Sequence, residues 1–289
     1  MYTKILVPLD GSKLSEQILP YAQLLADAFH VPVELLHVND LDTITPFAPP
    51  LQGGDYLKVV SKRYLPLSLT VSCTVDLGKP AELIVERAAA DRGALIAMAT
   101  RGHSGMQRWL LGSVSNKVVR TATNPLLLVR PPQGTGPVWP LKLKTILVPL
   151  DGSGLAEKIL PHVTALAETL ELEVNLLRVH TIPAESYIVG DGLYVDVLSR
   201  ETESIRKGVG DYLNGKIEEL QAEGLDRVSS VAVEGDPAEE IIDLARKTHD
   251  SLIAMSTHGR SGMERWVLGS VAEKVIHHST SPVLIIRPE

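Results

Sequence analysis

Two parts of the chain place carboxylate, glycine and hydroxyl residues in an order suited to holding an anion beside a polyol. Pro8-Leu9-Asp10-Gly11-Ser12 returns letter for letter as Pro149-Leu150-Asp151-Gly152-Ser153. Later, Ala99-Thr100-Arg101-Gly102 is followed after nine residues by Gly112-Ser113, and Ser256-Thr257-His258-Gly259 after nine by Gly269-Ser270. Asp10 and Asp151 can accept hydrogen bonds from vicinal hydroxyls such as those of a ribose. Gly102, Gly112, Gly259 and Gly269 permit backbone conformations that a side chain forbids, and let amides approach phosphate oxygens. Ser113 and Ser270 stand where a helix should begin, and the orphan N–H groups and dipole there favour an anion.

Each feature also has a plainer reading. An Asp before Gly-Ser ahead of a helix is commonly a turn or an N-cap. Ser270-Val271-Ala272-Glu273 has the form of a capping box, and Ser113 can likewise simply cap. Against these stands the recurrence of the whole set at identical spacing in a second copy.

The elements that position these residues follow from the duplication. Ile5–Ser12 repeats as Ile146–Ser153 at an offset of 141, while Gly112 and Gly269 differ by 157. The second copy therefore carries sixteen extra residues, all before Gly235 and after its second strand. Short β-branched runs alternate with helical patterns in both copies, which predicts a parallel, doubly wound α/β sheet with right-handed crossovers. Expected strands in the first copy are 4–9, 33–38, 69–75, 95–99 and 126–129. In the second they are 145–150, 174–179, 229–233, 252–255 and 283–286. With strand order 3-2-1-4-5, both ligand segments of each copy open onto the crevice where the order reverses. Pro20 and Pro161 should kink the first helix or delay its start. The 201–223 segment favours a full helix; its counterpart within 40–69 reads as a broken helix or loop. The Pro/Gly stretch near 131–137 is a linker. The domains are thus expected at 1–132 and 143–289, joined by 133–142.

Composition narrows the function. A net charge of −7 without a polybasic run argues against nucleic acid or a membrane surface. No apolar run approaches membrane-spanning length, the N-terminus lacks the pattern of a secretory signal, and the single cysteine, Cys73, fits a reducing cytoplasm. Neither a GxGxxG fingerprint nor a GxxxxGK[ST] loop occurs, and the nine histidines show no metal-ligand spacing. His277 and His278 read as surface. Trp109 and Trp266 share a slot suited to packing, or to a lid over a ligand. Arg108 and Arg265 share another that suits phosphate or solvent.

These residues make the chain resemble a tandem universal stress protein over nearly all of both halves. The resemblance rests on ILVPLDGS, on the G-x2-G-x9-G-[ST] pattern of the family's ATP-binding branch, and on the closing PLLLVR and PVLIIRP segments. It implies an adenine-nucleotide site (ATP, or ADP or AMP, with Mg2+ an optional companion) between strands one and four. In the first copy it assigns Pro8 to the adenine-side wall, Asp10 to the ribose and the Val38 backbone to the adenine edge. Met98 borders the base, and Gly102, Gly112, Ser113 and Val114 hold phosphate. The second copy offers Pro149, Asp151, Val179, Met255, Gly259, Gly269, Ser270 and Val271. Both copies depart from the pattern at its first glycine, which is Ala99 in one and Ser256 in the other.

No nucleophile–base pair recurs in both copies, so the expected activity is binding and signalling with at most slow hydrolysis. The competing readings are an ATP-using hydrolase of the same broader fold and a structural stress protein with vestigial sites. The resemblance further implies that the two final strands pair within the chain and that the chain dimerises.

Overall fold

The strands form where apolar side chains are covered on both faces. Ile5-Leu6-Val7 and Ile146-Leu147-Val148 are fully buried in β1 (Lys4–Pro8) and β6 (Thr145–Pro149). Such runs need no polar alternation because helices pack above and below them. The first half continues through β2 (Val33–Asp40), β3 (Val71–Gly78), β4 (Ala94–Ala99) and β5 (Leu126–Val129). The second continues through β7 (Glu173–His180), β8 (Val228–Glu234), β9 (Ser251–Ser256) and β10 (Val283–Ile286). The computed structural model describes residues 1–40, 53–100, 111–130, 137, 141–181, 192–259 and 268–288, with backbone alone over 192–201. Most of the expected linker lies outside the described residues.

The strands form one sheet ordered β3-β2-β1-β4-β5-β10-β9-β6-β7-β8. Each half therefore has the expected order 3-2-1-4-5, parallel within itself, with the reversal between its first and fourth strands. The halves join where β5 and β10 pair antiparallel, setting Leu127 opposite Leu284.

The helices follow the predicted alternation with informative departures. In the first half they are α1 (Leu19–Phe29), α2 (Gly53–Tyr64), α3 (Pro80–Ala89) and α4 (Ser113–Thr121). In the second they are α5 (Gly154–Glu157), α6 (Leu160–Leu170), α7 (Gly192–Ala222), α8 (Pro237–Lys247) and α9 (Ser270–His278). Pro20 and Pro161 mark late starts: each sits in the first turn of its helix, where a missing N–H breaks no helical bond. The long polar run of the second half is helical as expected, but α7 begins at Gly192, well before 201. α2 and α7 share Gly54-Asp55-Tyr56-Leu57 and Gly210-Asp211-Tyr212-Leu213, a repeat at offset 156. Fifteen of the sixteen extra residues thus precede this shared segment. The first-half stretch 41–52 lies outside the described residues.

Two cores flank the sheet. One lies beneath α1, α2, α6 and α7, with Leu25, Leu57, Val163 and Leu213 among its members. The other lies beneath α3, α4, α8 and α9, with Ile84, Val118, Ile241 and Val275. Each runs across the β5–β10 seam without a break.

A polar contact also crosses between the halves on the α1/α6 side. The Tyr2 hydroxyl lies 3.0 Å from His162 Nδ1, and the Tyr2 ring packs edge-on against Phe29. Burial holds the His162 imidazole below its ordinary value. Protonation is then costlier in the folded chain than in the unfolded one. The associated stability is complete above about pH 6.5, the usual histidine value, and is lost as pH falls through the lowered folded value. His162→Phe should flatten this acid slope when Tm is followed from about pH 7.5 to about pH 5. An unchanged slope would place the titration elsewhere.

Candidate nucleotide site

At the carboxyl ends of β6, β7 and β9 the second half encloses a cavity of about 830 Å3. It sits at the reversal of strand order, where open α/β sheets take ligands, and its size suits a small-molecule site. Pro149, Asp151, Val179, Met255, Gly259, Gly269, Ser270 and Val271 all line it. The roof comes from Ser204, Ile205, Gly208 and Val209 of α7, which sequence reasoning did not assign to the site.

The matching first-half residues occupy the same elements. Pro8 closes β1, Val38 lies on β2, Met98 is buried in β4, and Asp10 sits in the exposed turn after β1. Gly112, Ser113 and Val114 open α4. Gly102, Arg101, Arg108 and Trp109 lie outside the described residues, as do Arg265 and Trp266.

The two aspartates divide their oxygens. Asp151 Oδ1 accepts from the Ser153 amide at 2.9 Å and its hydroxyl at 2.6 Å, and Asp10 makes the same two bonds to Ser12. The turn reading therefore holds for one oxygen of each carboxylate. Gly152 has φ 79° in this turn, a left-handed conformation that explains the glycine. Ser153 Oγ in turn accepts from the Ala156 amide at 3.1 Å and caps α5. The second oxygen, Asp151 Oδ2, lies against Gly259, where any Cβ would overlap it.

This geometry corrects the expected role of the glycines. Gly112 and Gly269 adopt φ near −60° with extended ψ, conformations open to any residue. Space, rather than conformational freedom, requires a glycine at 269: a Cβ would stand 2.7 Å from the Thr257 carbonyl oxygen. That same oxygen accepts from the Gly269 amide at 2.9 Å, and Thr100 O accepts from Gly112 likewise. The capping box is also corrected. Gly269 is the N-cap and Ser270 the first helical residue; the Gly269 carbonyl accepts the Glu273 amide at 2.8 Å. Gly269 brings no capping side chain to α9, whose first residues Ser270 and Val271 border the cavity, and a helix N-terminus of this kind favours an anion.

Several side-chain roles escaped the sequence reading. Ser256, at the departure from the family pattern, donates its hydroxyl to Leu155 O at 2.8 Å and so ties β9 to α5. Arg178 is buried, with its guanidinium 5.1 Å from the Tyr212 ring and reaching the Leu150 carbonyl at 3.5 Å. His37 takes its place in the first half, with Nδ1 2.8 Å from Leu9 O. The Tyr212 hydroxyl donates to Glu157 at 2.9 Å. Burial, with the Glu157 carboxylate beside it, pushes this phenol well above its ordinary value. The signal for this cluster was the GDYL repeat together with Glu16 and Glu157, which occupy matching positions.

Among known proteins, the model of the universal stress protein family matches residues 1–130 and again 142–287. A universal stress protein of Mycobacterium bovis is 24% identical over 298 residues, covering 98% of this chain and 96% of the relative. One from Methanocaldococcus jannaschii is 31% identical over 147 residues, 50% of this chain and 82% of its own. Among solved structures, a functionally unknown protein from Pseudomonas aeruginosa superposes with TM-score 0.70 at 18% identity, covering 99% of this chain and 93% of its own. A universal stress protein from Archaeoglobus fulgidus gives TM-score 0.66 at 22% identity, covering 99% and 96%. These structural likenesses extend the fold over both halves. With the family pattern matched twice in succession, this chain belongs to the universal stress protein family as a tandem member.

Proposed function

We propose that the chain binds adenine nucleotide, ATP or its ADP and AMP products, and acts as a binding and signalling module rather than a fast hydrolase. The observation that carries this reading is the convergence of all eight second-half residues on one cavity at the strand-order reversal. In this reading Asp151 takes the ribose hydroxyls, and the α9 terminus at Ser270 and Val271, which borders the cavity, takes the phosphate oxygens. Val179 offers its backbone to the adenine edge between Pro149 and Met255. The first half takes the same ligand through Pro8, Asp10, Val38, Met98, Gly102, Gly112, Ser113 and Val114. Mg2+, where present, arrives with the phosphates; among the described residues no group of three or more acidic, His or Cys side chains is arranged to hold a metal alone. No described helix is long and apolar enough to cross a membrane. The pairing of β5 with β10 already joins the two halves, and a further homodimer forms between whole chains.

The test is to identify nucleotide released on denaturing the purified chain, followed by equilibrium binding of radiolabelled ATP. Adenine nucleotide in the supernatant and saturable binding are expected. A chain that carries no nucleotide and binds none would overturn the reading.

A further inference from the structure

Among the described residues, three buried side-chain nitrogens without a hydrogen-bond partner border the second-half cavity: Nδ1 and Nε2 of His180, and Nε2 of His258. Native structures seldom leave a polar atom shut from water and unpaired unless a ligand, a water or a function explains it. His258 has its other nitrogen 2.9 Å from Thr257 Oγ1. His180 has neither nitrogen engaged.

Its position says what the imidazole faces. Val174 and Leu176 of β7 join the core beneath α6 and α7, whereas Leu177 and Val179 join the opposite core. Strand alternation then puts Arg178 and His180 on the α7 side. Arg178 is accounted for by Leu150 and Tyr212. One pleat nearer the strand end, His180 lies under the α7 roof of the cavity, at the last position of β7. The corresponding residue of β2 is Asn39, and its Nδ2 is also buried without a partner. A polar side chain with an idle donor recurs here in both halves, although the residue type differs.

We infer that His180 and Asn39 are ligand-reading positions, each giving one side-chain hydrogen bond to the nucleotide of its own half. A neutral imidazole presents one donor and one acceptor, an amide two donors and a carbonyl oxygen, so the exchange of His for Asn gives the halves different affinities. This rests on the nucleotide reading above and adds to it a specificity residue beyond the Asp and glycine positions.

The experiment uses the full chain carrying Asp10→Ala, so that titration with radiolabelled ATP reports the second half. His180→Phe keeps a ring of similar size and removes both nitrogens. It should weaken ATP binding by about tenfold, the loss of one hydrogen bond. The nucleotide-free Tm should stay level or rise, because idle buried nitrogens have gone. His180→Asn should retain more affinity than His180→Phe. Unchanged ATP affinity in His180→Phe would overturn the inference, as would a lower nucleotide-free Tm with affinity intact. If the parent chain binds no ATP, the nucleotide reading fails first and takes this one with it.

Discussion

Asp151→Ala should weaken ATP binding in the second half by roughly ten- to hundredfold, the equivalent of one charge-assisted hydrogen bond. The carboxylate spends Oδ1 on the Ser153 turn, and Oδ2 lies against Gly259 at the cavity wall, the side on which the nucleotide reading puts the ribose. Gly259→Ala should lose a comparable amount without touching the aspartate. The new Cβ would occupy the place of Oδ2 and force the carboxylate away. The two losses then share one cause, and the double variant should bind no more weakly than the worse single one. Asp151→Asn, which keeps an acceptor for Ser153, separates the turn from the ligand contact: its Tm should stay near that of the parent while its affinity falls. Additive losses in the double variant would show that Gly259 acts on the ligand by another route.

The second large effect lies at the seam between the halves. Leu284→Asp should destabilise the chain by about 4 kcal/mol or more, because it buries an unpaired charge and removes a packed leucine. Leu284 is 2% exposed and faces Leu127 across the antiparallel seam. Around it the halves brace each other reciprocally. Arg130 donates to the His277 carbonyl at the end of α9, and Arg287 donates to Arg120 O at 2.7 Å near the end of α4. Arg120 also pairs with Glu273 at 2.5 Å. Guanidinium groups at helix carboxyl ends are favourable partners for the unpaired carbonyls there. Urea unfolding should therefore show a lower midpoint and separate transitions for the two halves in Leu284→Asp. Leu67→Asp, at a fully exposed leucine, supplies the control and should leave the curve unchanged. A single transition at the parent midpoint would mean that the seam does not couple the halves.

Much of this architecture is legible in residue types. The apolar runs at 5–7, 95–98, 146–148 and 252–255 are strands because nothing but helices covers them. Pro20 and Pro161 announce late helix starts because a ring nitrogen fits only in a first turn. The aspartate and glycine segments point to one crevice because strand order brings their ends together. Less was legible where a residue's reason lies in a distant neighbour. Gly269 looked like a conformational glycine, yet its constraint is the Thr257 carbonyl. Ser270 looked like a cap, but the chain enters α9 one residue earlier. Ser256 looked like a departure from a pattern, and it proves to be a strut to Leu155.

Local order and repetition in the sequence determined the two halves, their alternating strands and helices, and the paired aspartate, glycine and serine segments, while the family resemblance added Pro149, Val179, Met255 and Val271 to the second site. The repeat follows from hydrophobic periodicity and from identical letters at identical spacing. Only the tertiary structure decided how those residues act. It set Asp151 Oδ2 against Gly259, laid the α7 roof over the cavity, left His180 beneath it without a partner among the described residues, and fused the halves through β5 and β10. These outcomes depend on atoms far apart in the chain meeting within a few ångströms, and sequence spacing carries no record of such distances.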